Sequence, residues 1–456
     1  MMSKQTVFDN VNALENLCGS SCQFLWDNPE VGGTEEKSAN YMRNLLKEAD
    51  FAIVNEEKLP HAFYAEFGSG RPVIAILGEY DALPGLSQKV CPVKEPIQEG
   101  APGHGCGHNL LGSAAVTAAI AMKRVMEQEN LPGTIRFYGC PEEELLCGKV
   151  KMAYYHMFDG CDVAIAWHPA SSNVVFEQAY LASAYARFYF TGLSSHAGFA
   201  PELGRSAMDA VELMNVGSNY LREHVISSAR IHYSSDNCGF PPNIVPSKAN
   251  AWYCVRAPKM ADVKSILDRI IKVAKGAAMM TETEVEVKVE YGCCEMRPAP
   301  KFADLTHRVM VETPMPEYTA QELAFVKSMQ DSLKPGVAEK DRLANGAAPD
   351  AVLHDKVGGR DHWKQVPMSA SSDSGDVSYM MPMTTFTVAN LPFGVAPHTW
   401  QATALTGSSV GAKAALYAAR VIAGVAYALL TEPETTQAVL KEFQDAHVEY
   451  TPMYTE

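Results

Sequence analysis

Residues 72–85 read PVIAILGEYDALPG. Pro72–Leu77 form an apolar run, short enough for a central strand, and polar residues with a turn-forming Pro84-Gly85 follow at once. A run with no polar alternation fits a strand buried on both faces, as in a sheet covered by helices. Working outward, TIRFYGC (134–140), DVAIAW (162–167) and TTFTVA (384–389) repeat the type. Leu111, Ala115, Ala118, Met122 and Val125 are spaced four, three, four and three apart, which predicts a long helix from about residue 110. The small residues on that face suit close packing against a sheet. Helical patterns also occupy Val7–Trp26 and about Glu35–Glu48, and a final helix carries Val410, Ala414, Tyr417 and Val421. Strands alternating with helices predict the α/β class, with a mostly parallel sheet between helices.

The middle of the chain has another texture. EVEVKVE (284–290) alternates strictly, with Val285, Val287 and Val289 on one face and charges on the other, as in an antiparallel strand with one dry face. Tyr185–Phe190 and Trp252–Arg256 are strand-like, and helical patterns lie at about Ser206–His224 and Ala261–Ala277. This predicts a smaller two-layer α+β domain inserted into the larger one. The expected segments are 1–182 and 295–456 for the large domain and 183–294 for the insertion. Residues 330–365 are polar and resist placement, and a short Ser-rich patch, SASSDSGDVS, occupies 369–378.

Composition bounds the function. The chain has 456 residues, 47% of them apolar and 20% charged, which excludes disordered and fibrous classes. The formal charge of −15 disfavours nucleic acid and anionic membrane as partners. No run approaches the 18 or so apolar residues of a membrane span, and MMSKQTVFDNVNALENL lacks the order of a signal peptide. Eleven scattered cysteines form no disulfide framework and are expected to be reduced. These features predict a cytoplasmic protein.

Four clusters carry chemistry, three of them just beyond predicted buried strands, where ligands bind in open α/β sheets. In GEYDALPG (78–85), Glu79 and Asp81 share a side if the segment is extended, or form a solvated acidic turn. In GHGCGHNLLG (103–112), Cys106 and His108 flank a glycine at a loop-to-helix junction. A thiolate and an imidazole so spaced reach one zinc-like ion, while the rival reading makes Cys106 a nucleophile activated by a histidine and a helix amino terminus. CPEEE (140–144) ends a buried strand with three carboxylates. They fit a metal ligand beside a general base, or an acidic helix start. His168, ending AWHP (166–169), and His398, in FGVAPHTW, are ligand candidates or structural histidines. Together these residues can fill a site holding two ions roughly 3.5–4 Å apart.

The combination of GEYDALPGLSQ, GHGCGHNLLG and SSDSGDVSYMMP resembles the aminoacylase and carboxypeptidase type of dinuclear metallopeptidases. It is most similar to the subgroup of hippurate hydrolase, plant auxin-conjugate amidohydrolases and aminobenzoyl-glutamate utilization proteins. The likeness runs from about residue 20 to 430. It implies a catalytic domain interrupted by a lid and dimerisation domain. It implies two divalent ions per subunit, manganese or zinc with cobalt as a third choice. Cys106 would bridge them, with His108 and Glu144 completing one shell and His168 and His398 the other. Glu143 matches the catalytic base, Asp81 a carboxylate orienting a ligand histidine, and His104 a histidine that is not a ligand. Glu142 is then expected to be solvated. The wider superfamily has a ligand histidine where this chain has Glu79, so Glu79 is not assigned as a ligand.

In the inserted domain, TGLSSHAG (191–198) places His196 where relatives reach a partner subunit's active site to polarise the scissile carbonyl. Within PPNIVPSKANAWYCVRAP (241–258), Asn243 and Arg256 match positions that bind the substrate's carbonyl and carboxylate. The expected activity is hydrolysis of the amide bond of N-acyl or N-aroyl amino acids, or small dipeptides, by at least a homodimer. A partner-dependent or non-catalytic subunit of a heteromeric pair, and a metal-free hydrolase using Cys106, are the alternatives.

Overall fold

The computed structural model describes residues 4–177, 180–239, 241–360 and 370–454. Its strands, in chain order, are β1 (Ala52–Glu56), β2 (Leu59–Ser69), β3 (Val73–Glu79), β4 (Gly133–Cys140), β5 (Val163–Ala170), β6 (Val174–Val175), β7 (Ala182–Thr191), β8 (Arg230–Ser234), β9 (Lys248–Ala257), β10 (Glu284–Cys293), β11 (Met383–Ala389) and β12 (Met453–Tyr454). They fall into two compact units. The larger comprises described residues up to 177, 297–360 and 377–450, and the smaller comprises 180–296, 370–376 and 451–454 apart from residue 240. The smaller unit therefore also gathers two stretches that lie beyond a boundary drawn at residue 294.

The larger unit is built on a seven-stranded sheet in the order β1-β2-β4-β3-β5-β11-β6. The neighbours among β4, β3, β5 and β11 are parallel, and the outer pairs β1–β2, β2–β4 and β11–β6 are antiparallel. The α/β class holds, with a parallel centre and antiparallel flanks that make the sheet mixed. All seven residues of β3 and of β11 are buried, which explains the apolar run Val73–Leu77 of β3, while β11 buries Thr384, Thr385 and Thr387 along with its apolar residues. Register sets the site: Glu79 lies opposite Cys140, and His168 opposite Thr387. The loops after β3, β4, β5 and β11 consequently leave from one edge.

The long helix His108–Glu129 packs against the sheet and against helix Ser409–Thr431. The latter is long and apolar enough to cross a membrane by length and composition, contrary to the sequence expectation, but most of it is buried in the core. Nor is it the final helix, since Pro433–Asp445 follows. The amino-terminal helical pattern is two helices, Lys4–Asn12 and Glu15–Asp27. Within 330–360 the structure contains helix Val337–Ala344, while 361–365 lie outside the described residues. The described part of the Ser-rich patch is no loose linker: Asp373 and Asp376 are buried, and helix Ser374–Met380 begins there.

The smaller unit is a five-stranded sheet, β12-β10-β7-β9-β8, antiparallel throughout. Helices Ala207–Leu221 and Met260–Thr281 pack on it. Ala184, Ala186, Phe188 and Phe190 of β7 are buried, and the residues between them are not.

Candidate metal centre

Three sequence clusters converge at the edge where β3, β4 and β5 end. Cys106 and His108 are set by a turn at Gly107, whose φ of +88° is left-handed. A Cβ there would stand 2.5 Å from Cγ of Pro169, the residue after His168, so the turn is pressed against the end of β5. His108 opens the long helix, and Glu143 and Glu144 lie in the turn after β4. His398 comes in on the loop after β11, its backbone N–H bonded to the Gly105 carbonyl at 2.9 Å.

Two histidines are fixed with one ring nitrogen turned to the centre. His108 Nδ1 meets Asp81 Oδ1 at 2.8 Å, and His168 Nδ1 meets the carbonyl oxygen of Pro169 at 2.7 Å. Donating from Nδ1 leaves each Nε2 as a lone pair. His168 Nε2 lies 3.4 Å from Cys106 Sγ, and His398 Nε2 lies 3.5 Å from Glu144 Oε2. Asp81 also accepts the backbone N–H of Glu144 on Oδ2 at 2.8 Å.

The ligand-capable atoms form two sets that share the thiol, Cys106–His108–His168 and Cys106–Glu144–His398, each within 4.8 Å. The five expected ligands thus stand together, but His108 groups with His168 rather than with Glu144. His168, near the end of β5, stands beside Cys106. A third set, Glu79–His108–Glu143, meets the same distance.

The electrostatics call for cations. Burial pushes the Cys106 thiol up, and Glu144 pushes it further, which works against a thiolate nucleophile acting without an ion. Burial raises Glu144 to about 7 and lowers His168 to about 4. Burial opposes charge on Asp81 too, but the His108 imidazole outweighs it and holds the carboxyl below its usual range. Burial alone would lower His108, yet Cys106 and Asp81 hold it well above the ordinary imidazole range. A divalent ion is the natural replacement for that proton. Moreover, His108 Nε2 and Glu144 Oε1 are buried and make no hydrogen bond. Soft sulfur, imidazole and carboxylate are donors that divalent transition metals accept, so the residues present fit two such ions.

Several neighbours carry unforeseen roles. Lys149, fully buried, holds Glu79 Oε1 at 2.6 Å. Glu35, also buried, accepts the backbone N–H of Glu142 at 2.8 Å. Glu142, expected to be solvated, is instead largely covered and paired with Lys151 and with the Cys147 thiol, at a backbone φ of +58°. His104 is buried with Nε2 on the carbonyl oxygen of Leu25 at 3.1 Å, and burial lowers it to about 3. Lone Lys and Glu residues carry no local signal of such burial.

His196, Asn243 and Arg256 belong to the smaller unit. His196 is exposed, and its Nδ1 accepts the backbone N–H groups of Gly198 and Phe199 at 3.2 and 3.0 Å, leaving Nε2–H to donate. The Asn243 carbonyl accepts the Ala197 N–H at 3.0 Å, so these two candidates are held side by side. Arg256 lies on β9 with Nε buried and without a hydrogen bond.

A mixed α/β sheet with a thiol-centred pair of ligand-capable sets at its strand ends is the arrangement of a metal-binding protein, and the family match makes it a hydrolase. Residues 75–394 match peptidase family M20/M25/M40, and the chain belongs to that family as an amidohydrolase. It is 39% identical to one of the subunits of the p-aminobenzoyl-glutamate hydrolase of Escherichia coli over 443 residues, covering 94% of this chain and 91% of that one. It is 25% identical to the mouse Xaa-Arg dipeptidase, covering 97% and 92%. Among solved structures it resembles a dinuclear metal-binding peptidase of the family from Bacillus subtilis, with a TM-score of 0.58, 16% identity and coverage of 92% and 99%. It also resembles an aminobenzoyl-glutamate utilization protein from Klebsiella pneumoniae, with a TM-score of 0.59, 16% identity and coverage of 90% and 97%.

Proposed function

We propose that the protein hydrolyses the amide bond of N-acyl or N-aroyl amino acids, aminobenzoyl-glutamate among them, or of small dipeptides. The observation that carries this reading is the pair of ligand sets sharing Cys106, with Glu143 at their edge and two ligand atoms left without hydrogen bonds. Manganese or zinc, with cobalt as a third choice, would be held by Cys106, His108 and His168 on one side and by Cys106, Glu144 and His398 on the other. Bound there, two such ions supply Lewis acidity for the carbonyl and lower the pKa of a water.

The chain's own residues do the rest. Glu143 Oε2 lies 3.8 Å from His108 Nε2, and its side chain retains some exposure, so the carboxylate can take a proton from the attacking water and deliver it to the leaving amine. Asp81 keeps His108 in the tautomer that offers Nε2. His196, with Nε2–H available, is assigned to steady the oxyanion from a second subunit. Asn243 and Arg256 are assigned to the substrate's carbonyl and carboxylate. This scheme needs at least a homodimer, formed in the cytoplasm. Two relatives from Escherichia coli, at 39% and 26% identity, are named as different subunits of one hydrolase, which favours a related second chain as the alternative assembly.

The test is a metal count on reconstituted protein, with Glu143→Ala assayed against N-acyl amino acids, aminobenzoyl-glutamate and Xaa-Arg dipeptides. Close to two ions per chain are expected, and a variant slower by about 10²–10⁴-fold with its metal retained. Fewer than one ion per wild-type chain, or a fully active variant, overturns the reading. Turnover that appears only on adding a second chain assigns the heteromeric form.

A further inference from the structure

The third ligand-capable set raises a question of chemistry. Glu79 Oε2 lies 3.4 Å from His108 Nε2, so an ion on that imidazole is within reach of the carboxylate. A carboxylate with two available oxygens beside a divalent cation is a strong ligand. Glu79 does not have both available. Lys149 Nζ sits 2.6 Å from Oε1, and the Lys149 side chain is 0% exposed and that of Glu79 6%. Charges this deep are costly unless paired, and the pair neutralises itself inside the site. Lys149 is the second residue of helix Gly148–Tyr154, which begins just past the turn bearing Glu143 and Glu144. The segment that delivers the base and a ligand therefore also delivers the ammonium.

We propose that Lys149 is a positioning residue that holds Glu79 out of the metal shell, so that the ion on His108 is left to Cys106 and His168. The ammonium does this in two ways: it occupies the carboxylate oxygen, and its charge repels a cation from that corner. Glu79 serves as the wall of the site on which His108 rests. The inference depends on the metal-binding reading above, and the experiment separates the two.

Cobalt(II) loaded into the full chain reports ligand number through its visible bands, which weaken as ligands are added. In Lys149→Met, Glu79 is released. The bands are expected to weaken, and cobalt affinity to tighten by about ten-fold, a change on the scale of those seen when groups behind metal ligands are altered. The double variant Glu79→Gln/Lys149→Met, which removes both charges of this pair, is expected to return both to wild-type values. A folded Lys149→Met with wild-type spectrum and affinity overturns the proposal, as does a change that persists in the double variant. Should Lys149→Met fail to fold, the double variant alone decides, because a spectrum unlike the wild type's would make Glu79 a ligand already. A wild type that holds no cobalt overturns the metal reading, and the role of Lys149 with it.

Discussion

At the scale of single residues, Asp81 is the hinge between the two ligand sets. One oxygen takes His108, a member of the first set, and the other takes the backbone of Glu144, a member of the second, each at 2.8 Å. Asp81→Asn keeps the shape but turns one oxygen into a donor that faces another donor. Metal affinity is expected to fall about 10–100-fold, read by competition with a coloured chelator, at both positions rather than one. Glu35 gives a pH prediction. Burial, with the nearby Asp81 charge, raises its carboxyl to about 8. An acid whose pKa is higher folded than unfolded gives stability that is complete below about 4.5 and lost as pH rises to about 8. Wild-type stability should therefore carry a loss of roughly 1.4 kcal/mol per pH unit from this group across that window. Glu35→Gln retains an oxygen for the Glu142 N–H and lacks the titration. Denaturant midpoints at pH 5 and pH 8 should differ less in the variant than in the wild type, and an equal difference sinks the assignment.

At the scale of elements, the turn at Gly107 is where backbone geometry fixes chemistry. It separates two ligands and abuts the end of the strand that carries a third. Gly107→Ala combines a left-handed φ with a contact of 2.5 Å to Pro169. Strain on the order of 1–3 kcal/mol is expected, with loss of bound metal that exceeds the loss of secondary structure. Metal content against circular dichroism measures the two. Elements also differ in how plainly the sequence announces them. β3 and β5 are legible because burial on both faces leaves short apolar runs, and β4 and β11 because short stretches rich in β-branched and aromatic residues carry few charges; their ends locate the ligand clusters. β2 is hidden because Pro60, His61 and Glu66 interrupt its pattern, and an antiparallel flank with partly exposed positions does not demand continuous apolar residues. The break at Ala13–Leu14 is masked because apolar spacing continues across it. Lys149 is illegible for another reason: what makes it special is a partner seventy positions away, and periodicity reports only local faces.

At the scale of the molecule, the formal charge of −15 and the metal centre are connected. Glu79, Asp81, Glu143 and Glu144 gather at one sheet edge, with the Cys106 thiol among them, and the Lys149 ammonium lies against Glu79 there. Two divalent cations reverse that local excess, which also lets a substrate carboxylate enter an acidic protein. The candidate ligands run from Cys106 to His398, so bound ions would cross-link loops that follow three strands and the start of helix His108–Glu129. Binding to the folded chain alone stabilises it by about 2.7 kcal/mol at a hundred-fold excess over Kd. Chelation should therefore lower the melting temperature, and re-addition of manganese or zinc should restore it. The effect should also be local. None of the five proposed ligands belongs to the smaller unit, so hydrogen exchange should quicken at residues 103–108, 141–147 and 390–399 and remain unchanged in β7, β9 and β10. Equal quickening in both units would mean that the ions are held by something other than the Cys106 sets.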